Sequence, residues 1–209
     1  MTDMVPASLP AEVATAVANT KGFMPQDEGE ALHAHALRSS PGTWLEIGTY
    51  CGKSTLILAD AARRSGSSLV TVDHHHGSEE NQPGWEWHDT AMVDPVSGRL
   101  DTLPTFRPVL DSVADVCSAV VGSTQQVASW WASPLTLLFL DGNHTEETAQ
   151  HDYAAFAPFV VPGGTLLVHD VFPDPADGGQ APWHVVQRAL TEGFVEVAQH
   201  GSLRVLRRT

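Results

Sequence analysis

Glu46-Ile47-Gly48-Thr49-Tyr50-Cys51-Gly52-Lys53-Ser54-Thr55 is the stretch that decides the fold. It follows the apolar run 43–48 and precedes the amphipathic segment 53–64, so it reads as a strand-to-helix turn. Gly48 and Gly52 permit a tight turn and a close approach of the backbone to a ligand. A helix starting at Lys53 offers unpaired N–H groups and a positive dipole end. The spacing is not the GxGxxG of dinucleotide-binding turns, and Glu46 would repel a pyrophosphate. A carboxylate there suits a cationic ligand better. Taken alone, the two glycines could also do no more than close a βα turn.

Working outward, short apolar runs alternate with longer amphipathic stretches, which predicts an α/β domain with a mostly parallel sheet. Strands are expected at 43–48, 68–73, 116–121, 135–141 and 164–170, each apolar enough to be buried on both faces. A hairpin at 194–199 and 202–207, closed by His200-Gly201, brings the count to seven. Helices are expected at 53–64, 123–133, 146–158 and 181–191. Two more lie in 11–39, interrupted at Gly22-Phe23-Met24-Pro25. On the third of these helices Tyr153, Phe156 and Phe159 recur at core spacing. The 209 residues read as one domain, with an N-terminal helical segment at 1–42 and a long polar segment at 74–107. That segment, like 171–180, follows a strand. In open α/β sheets the ligand lies beyond the carboxyl ends of the strands, so both read as binding loops, the first as a substrate lid. Of His74-His75-His76, one residue is expected to line a site and the others to be loop residues. Trp85, Trp87 and His88 could stack on a ligand or hold the lid to the core.

The formal net charge is −14, and Lys21 and Lys53 are the only lysines, which disfavours a polyanionic partner such as nucleic acid. No apolar run reaches the roughly 18 residues a membrane span needs. The N-terminus lacks a basic start followed by an apolar stretch. Cys51 and Cys117 fit no metal motif and read as reduced core thiols. The expected location is the cytoplasm.

Glu46-x-Gly48-x-x-x-Gly52, with Asp73 ending the second strand and Gly122-Ser123 following the third, closely resembles the motifs of class I S-adenosylmethionine-dependent methyltransferases. The resemblance runs from residue 43 to the C-terminus. It implies a Rossmann-like seven-stranded sheet flanked by helices, with the last strand antiparallel. It implies that the turn bearing Glu46, Gly48, Gly52 and Ser54 holds the amino-acid end of S-adenosylmethionine. Asp73 would bind the ribose hydroxyls, Gly122 and Ser123 would pack on the adenine, and Asp141 would also border the cofactor.

Two strand ends carry the candidate chemistry: Asp141-Gly142-Asn143-His144 and His169-Asp170. Two carboxylates on one rim make a plausible divalent metal site. This pattern resembles metal-dependent O-methyltransferases, most closely the subset acting on sugar hydroxyls. The resemblance implies Asp141 and Asp170 as metal ligands and His144 as the catalytic base. His169 stands where that subset usually has an acid. It could be a third ligand, which would move the preference from Mg²⁺ toward Mn²⁺, Co²⁺ or Zn²⁺, or it could support the ligands from behind. The acceptor implied is a small sugar in polysaccharide biosynthesis, such as the 1-hydroxyl of a 3-O-methylated mannoside, and the expected assembly is a homodimer. Several alternatives stay open. Asp141 could belong only to a turn, and His144 could cap a helix. The acceptor could be a catechol-like phenol. The whole could instead be a nicotinamide-dependent oxidoreductase, a metal-dependent hydrolase or a cofactor binder without activity.

Overall fold

The apolar runs become the strands of one sheet: β1 (Thr43–Ile47), β2 (Ser68–Asp73), β3 (Cys117–Val121), β4 (Leu135–Leu140), β5 (Val160–Val168), β6 (Phe194–His200) and β7 (Leu203–Arg208). The computed structural model describes residues 8–78, 81–84 and 88–209. The strand order is β3-β2-β1-β4-β5-β7-β6. β1 to β5 pair in parallel, and β7 runs antiparallel to both β5 and β6. This is the seven-stranded, Rossmann-like order that the sequence resemblance implies.

Side-chain alternation divides the interior into two layers. In β4, Leu138 and Leu140 face one layer, against α6 (Glu146–Phe156) and α7 (Ala181–Thr191). Leu137 and Phe139 face the other, against α2 (Gln26–Leu37) and α3 (Lys53–Ser65). Tyr153 and Phe156 are buried, as their helical spacing predicts. Cys51 and Cys117 are buried free thiols, and burial pushes their pKa values up to about 11 and about 12. Among the described residues no helix is long and apolar enough to cross a membrane.

Three elements differ from the sequence expectation. β5 starts at Val160 and ends at Val168, leaving His169 and Asp170 on the rim. Its early start is accommodated by a register shift opposite Leu135 and Leu137, next to Pro162-Gly163-Gly164. α5 (Thr124–Ala128) is short and closes at Ser129; further on, Ser133 before Pro134 is kept out of the helical region, so the chain enters β4 extended. α4 (Leu103–Val113) is a helix that the polar run before it and its own Pro104 and Pro108 hide from a propensity reading. Its apolar face is nevertheless periodic: Phe106 and Val113 are buried and Leu110 is partly so. α1 (Ala11–Asn19) and α2 flank the break at Gly22-Phe23-Met24-Pro25 as expected.

Phe106 is fully buried, and its ring lies stacked on His75, with centroids 5.2 Å apart. Phe106→Ala is expected to cost about 3–5 kcal/mol. Urea unfolding followed by circular dichroism should show the midpoint falling with little change in slope.

Candidate active site

The turn after β1 lies directly against the end of β4. Gly48 has φ +92°, and a Cβ there would sit 2.0 Å from the Asp141 carbonyl oxygen, so no side chain fits. The Asp141 N–H donates to the Ile47 carbonyl at 2.9 Å, tying the two loops together. Gly52 is the residue before α3. Beneath the turn Glu46 is fully buried. Its carboxylate accepts from Ser54 Oγ at 2.6 Å and Thr55 Oγ1 at 2.7 Å. Burial outweighs these hydroxyls and pushes its pKa up to about 7. Glu46 thus braces the start of α3 from below.

Asp73 organises the neighbouring strand end. Its Oδ2 accepts from the N–H of Thr49 at 2.9 Å and of Tyr50 at 2.8 Å, and its Oδ1 from the N–H of His75 at 2.7 Å. The Gly122 N–H donates to the Asp73 carbonyl at 3.0 Å, and Ser123 caps α5. Among the three successive histidines, His74 lines the cavity. His75 is buried with Nδ1 2.8 Å from Thr102 Oγ1, and His76 Nδ1 lies 3.1 Å from the Leu100 carbonyl. His88 Nδ1 lies 2.8 Å from the Asn81 carbonyl. Trp85 and Trp87, the expected lid aromatics, lie outside the described residues.

On the other side, Asp141, His144 and Asp170 each offer a ligand atom, all within 4.8 Å of one another. Two carboxylates and an imidazole form a donor set that suits a divalent cation with mixed oxygen and nitrogen ligands. His144 Nε2 lies 3.4 Å from Asp170 Oδ2. His169, weighed as a metal ligand from the sequence, is placed differently. Its Nδ1 lies 3.0 Å from Asp141 Oδ1, and its Nε2 lies 2.6 Å from Glu28 Oε2. Both ring nitrogens are engaged by carboxylates, so the third donor in the convergent group is His144 and not His169. Burial works against charge on His169, but Asp141, Asp170 and Glu28 together overcome it and push its pKa up to about 12. Burial alone would raise Asp170, yet His169 and His144 hold it below the usual carboxylate range.

One cavity of about 890 Å³ joins these parts. Gly48, Ser54, Asp73, Gly122, Ser123, Asp141, His144, His169 and Asp170 all line it, while the fully buried Glu46 and Gly52, which packs against Phe106 and Val109, do not. Tyr50, His75 and Asp170 are the non-glycine residues with left-handed φ among those described, at 49°, 61° and 54°. Each follows the carboxyl end of a strand, and such strained backbone clusters at functional sites. The sequence reading did not single out Lys21, Phe23 or Tyr50, which also line the cavity. The break at residues 22–25 is a sequence signal for Phe23 alone. For Glu28 there was none.

A family of methyltransferase domains matches residues 45–171, more than half of the chain. The chain belongs to this methyltransferase family. Similar solved structures include the S-adenosylhomocysteine-bound methyltransferase PaMTH1 of Podospora anserina (TM-score 0.67, 16% identity, covering 97% of this chain and 90% of that one). An O-methyltransferase of Bacillus cereus, also bound to S-adenosylhomocysteine, gives TM-score 0.62 at 17% identity, covering 95% and 89%. TomG of Streptomyces achromogenes, an O-methyltransferase involved in tomaymycin synthesis and solved with S-adenosylmethionine, gives 0.61 at 16%, covering 95% and 87%.

The Glu46 shift sets a sign for stability. Its folded pKa of about 7 exceeds its ordinary value of 4.5, so the folded state holds this proton more tightly. The associated stability is full below the unfolded pKa and is lost as pH rises through about 7. Wild type is therefore expected to lose stability relative to Glu46→Gln, on the order of 2–3 kcal/mol, across that window. Urea unfolding of both proteins at several pH values checks this.

Proposed function

We propose that this methyltransferase moves the methyl group of S-adenosylmethionine to a hydroxyl of a small acceptor, with Asp141 and Asp170 holding a divalent cation and His144 as general base. The observation that carries this reading is the continuous cavity, with the glycine turn and Asp73 on one wall and the Asp141–His144–Asp170 rim on the other. Its volume is at the upper end of the 300–1,000 Å³ typical of ligand sites, which leaves room for cofactor and acceptor together. S-adenosylmethionine or its product in the similar structures supports the cofactor.

In this reading the chain of Gly48, Ser54, Asp73, Gly122 and Ser123 holds the cofactor along the strand ends. The rim holds the acceptor oxygen in line with the sulfonium methyl. The oxygen–carbon bond forms as the carbon–sulfur bond breaks, the thioether leaves, and the hydroxyl proton passes to His144 Nε2. Holding the two reactants in line contributes several kcal/mol of the barrier lowering. An imidazole is a competent proton acceptor, and His144 Nε2 lies 3.4 Å from Asp170 Oδ2, which holds the ring at the rim. The cation, when bound at Asp141 and Asp170, supplies positive charge that lowers the pKa of the acceptor hydroxyl. His144 serves as base and leaves ligation to the carboxylates, since one Nε2 cannot do both at once.

The acceptor in this reading is a sugar, such as the 1-hydroxyl of a 3-O-methylated mannoside. Support comes from the polar rim and from Phe23, an exposed ring on the cavity wall 5.4 Å from Tyr50, which suits the apolar C–H face of a pyranose. The likeness to TomG favours a second acceptor class, the hydroxyl of another natural product.

Isothermal titration of S-adenosylmethionine and S-adenosylhomocysteine is expected to give micromolar binding, weakened about 10–100-fold in Asp73→Ala through loss of charge-assisted hydrogen bonds. Wild type that binds neither would overturn the reading. With a partly methylated mannoside and Mg²⁺, His144→Ala is expected to lower kcat by about 10²–10⁴ while cofactor affinity holds. A chelator should abolish the wild-type rate and added Mg²⁺ or Mn²⁺ should restore it.

A further inference from the structure

We infer that Glu28, on α2 and outside the methyltransferase core, is a positioning residue for the cation-binding rim, clamping His169 and through it Asp141. The inference rests on the cation reading above. Glu28 is 5% exposed and lies in the N-terminal helical segment, more than a hundred residues from the groups it serves. Its Oε2 is 2.6 Å from His169 Nε2 and accepts from Ser202 Oγ at 3.0 Å, and its Oε1 accepts from the Ser202 N–H at 2.6 Å. The β6–β7 turn makes room for it: a Cβ on Gly201 would sit 2.1 Å from Glu28 Oε1.

From His169 the chain of contacts continues to the rim. Nδ1 faces Asp141 Oδ1 at 3.0 Å and Asp170 Oδ1 at 3.4 Å. Ionised carboxylates only accept, so a ring held between Glu28 and Asp141 donates from both nitrogens. The His169 N–H donates to the Leu140 carbonyl at 3.1 Å, which fixes its backbone. Glu28 fixes the far end of the ring. With both ends of the ring held, Asp141, which lines the cavity, has its Oδ1 engaged by His169 at 3.0 Å. Groups behind the ligands orient them in this way at metal sites, and their loss typically weakens metal affinity 10–100-fold.

Holding α2 to the sheet does not by itself require a carboxylate here. Ala31, Leu32 and Ala36 of the same helix are fully buried, and His33 pairs with Asp60 of α3 at 2.7 Å. A buried ion pair is a weak source of stability compared with apolar contacts of similar volume. What the carboxylate adds is the orientation of His169.

The test uses the full chain. Mn²⁺ is titrated by electron paramagnetic resonance, S-adenosylhomocysteine by calorimetry, and folding is followed by thermal melts, for wild type, Glu28→Ala and Glu28→Gln. The expected result is a 10–100-fold loss of Mn²⁺ affinity in the variants, with S-adenosylhomocysteine affinity unchanged. Should Glu28→Ala fail to fold, Glu28→Gln gives the same readout, because it keeps the volume and an acceptor for Ser202. A folded variant that binds Mn²⁺ as wild type does overturns the clamp and leaves the cation reading standing. Equal losses of Mn²⁺ and S-adenosylhomocysteine affinity mark a general loosening and also overturn it. Wild type that binds no Mn²⁺ removes the cation reading, and the clamp falls with it.

Discussion

β1 and β4 lie side by side, and the connections leaving them run to opposite halves of the sheet. After β1 the chain goes outward to β2 and β3, then crosses back to β4 on the other flank of β1 and continues to β5. A crevice opens where the connections diverge, at the carboxyl ends of the strands. The register pairs Ile47 with Leu140, so Gly48 and Asp141 are the next residues on both chains and must share one small space. Gly48 leaves that space free, and the Asp141 N–H fills the hydrogen bond to Ile47. Everything else in the site is built outward from this contact: Asp73 gathers the turn on one side, and His169 and Asp170 extend the rim on the other.

An acidic chain that gathers carboxylates at one end of a sheet must hold them without leaving buried charges uncompensated. It uses three solutions. Glu46 has hydroxyl partners only, and its proton becomes hard to remove. Asp152, on α6 beside Gly142, is buried with a pKa pushed up to about 6. Glu28 has a cation, His169, shared with Asp141 and Asp170. The same residue type therefore braces a turn in one place and orients a neighbour in another, according to the partners that the fold supplies.

How much was legible follows from the range of each signal. The strands, the turn from Glu46 to Ser54, Asp73 at a strand end and the two acidic strand ends near 141 and 170 are local patterns of apolar period and turn residues. The α4 helix was hidden because Pro104 and Pro108 read as breakers. One proline falls in the first turn, where its missing N–H is harmless, and the buried Phe106 stabilises the rest. His169 was open between ligand and support because its role depends on which groups face its two nitrogens. One of them, Glu28, comes from a helix with no motif of its own.

The amino-acid sequence by itself determined the order of the elements, the parallel sheet with its terminal hairpin and the glycine turn after the first strand. Each of these is set by interactions within a few residues, and local sequence carries them. Tertiary structure alone decided the rest: that Glu46 is fully buried, which groups face the two nitrogens of His169, and that Glu28 is one of them. These arrangements depend on side-chain contacts between strand ends, a helix and a hairpin turn far apart along the chain. Such contacts are settled by packing and by the pairing of buried charge, neither of which leaves a periodic trace in the sequence.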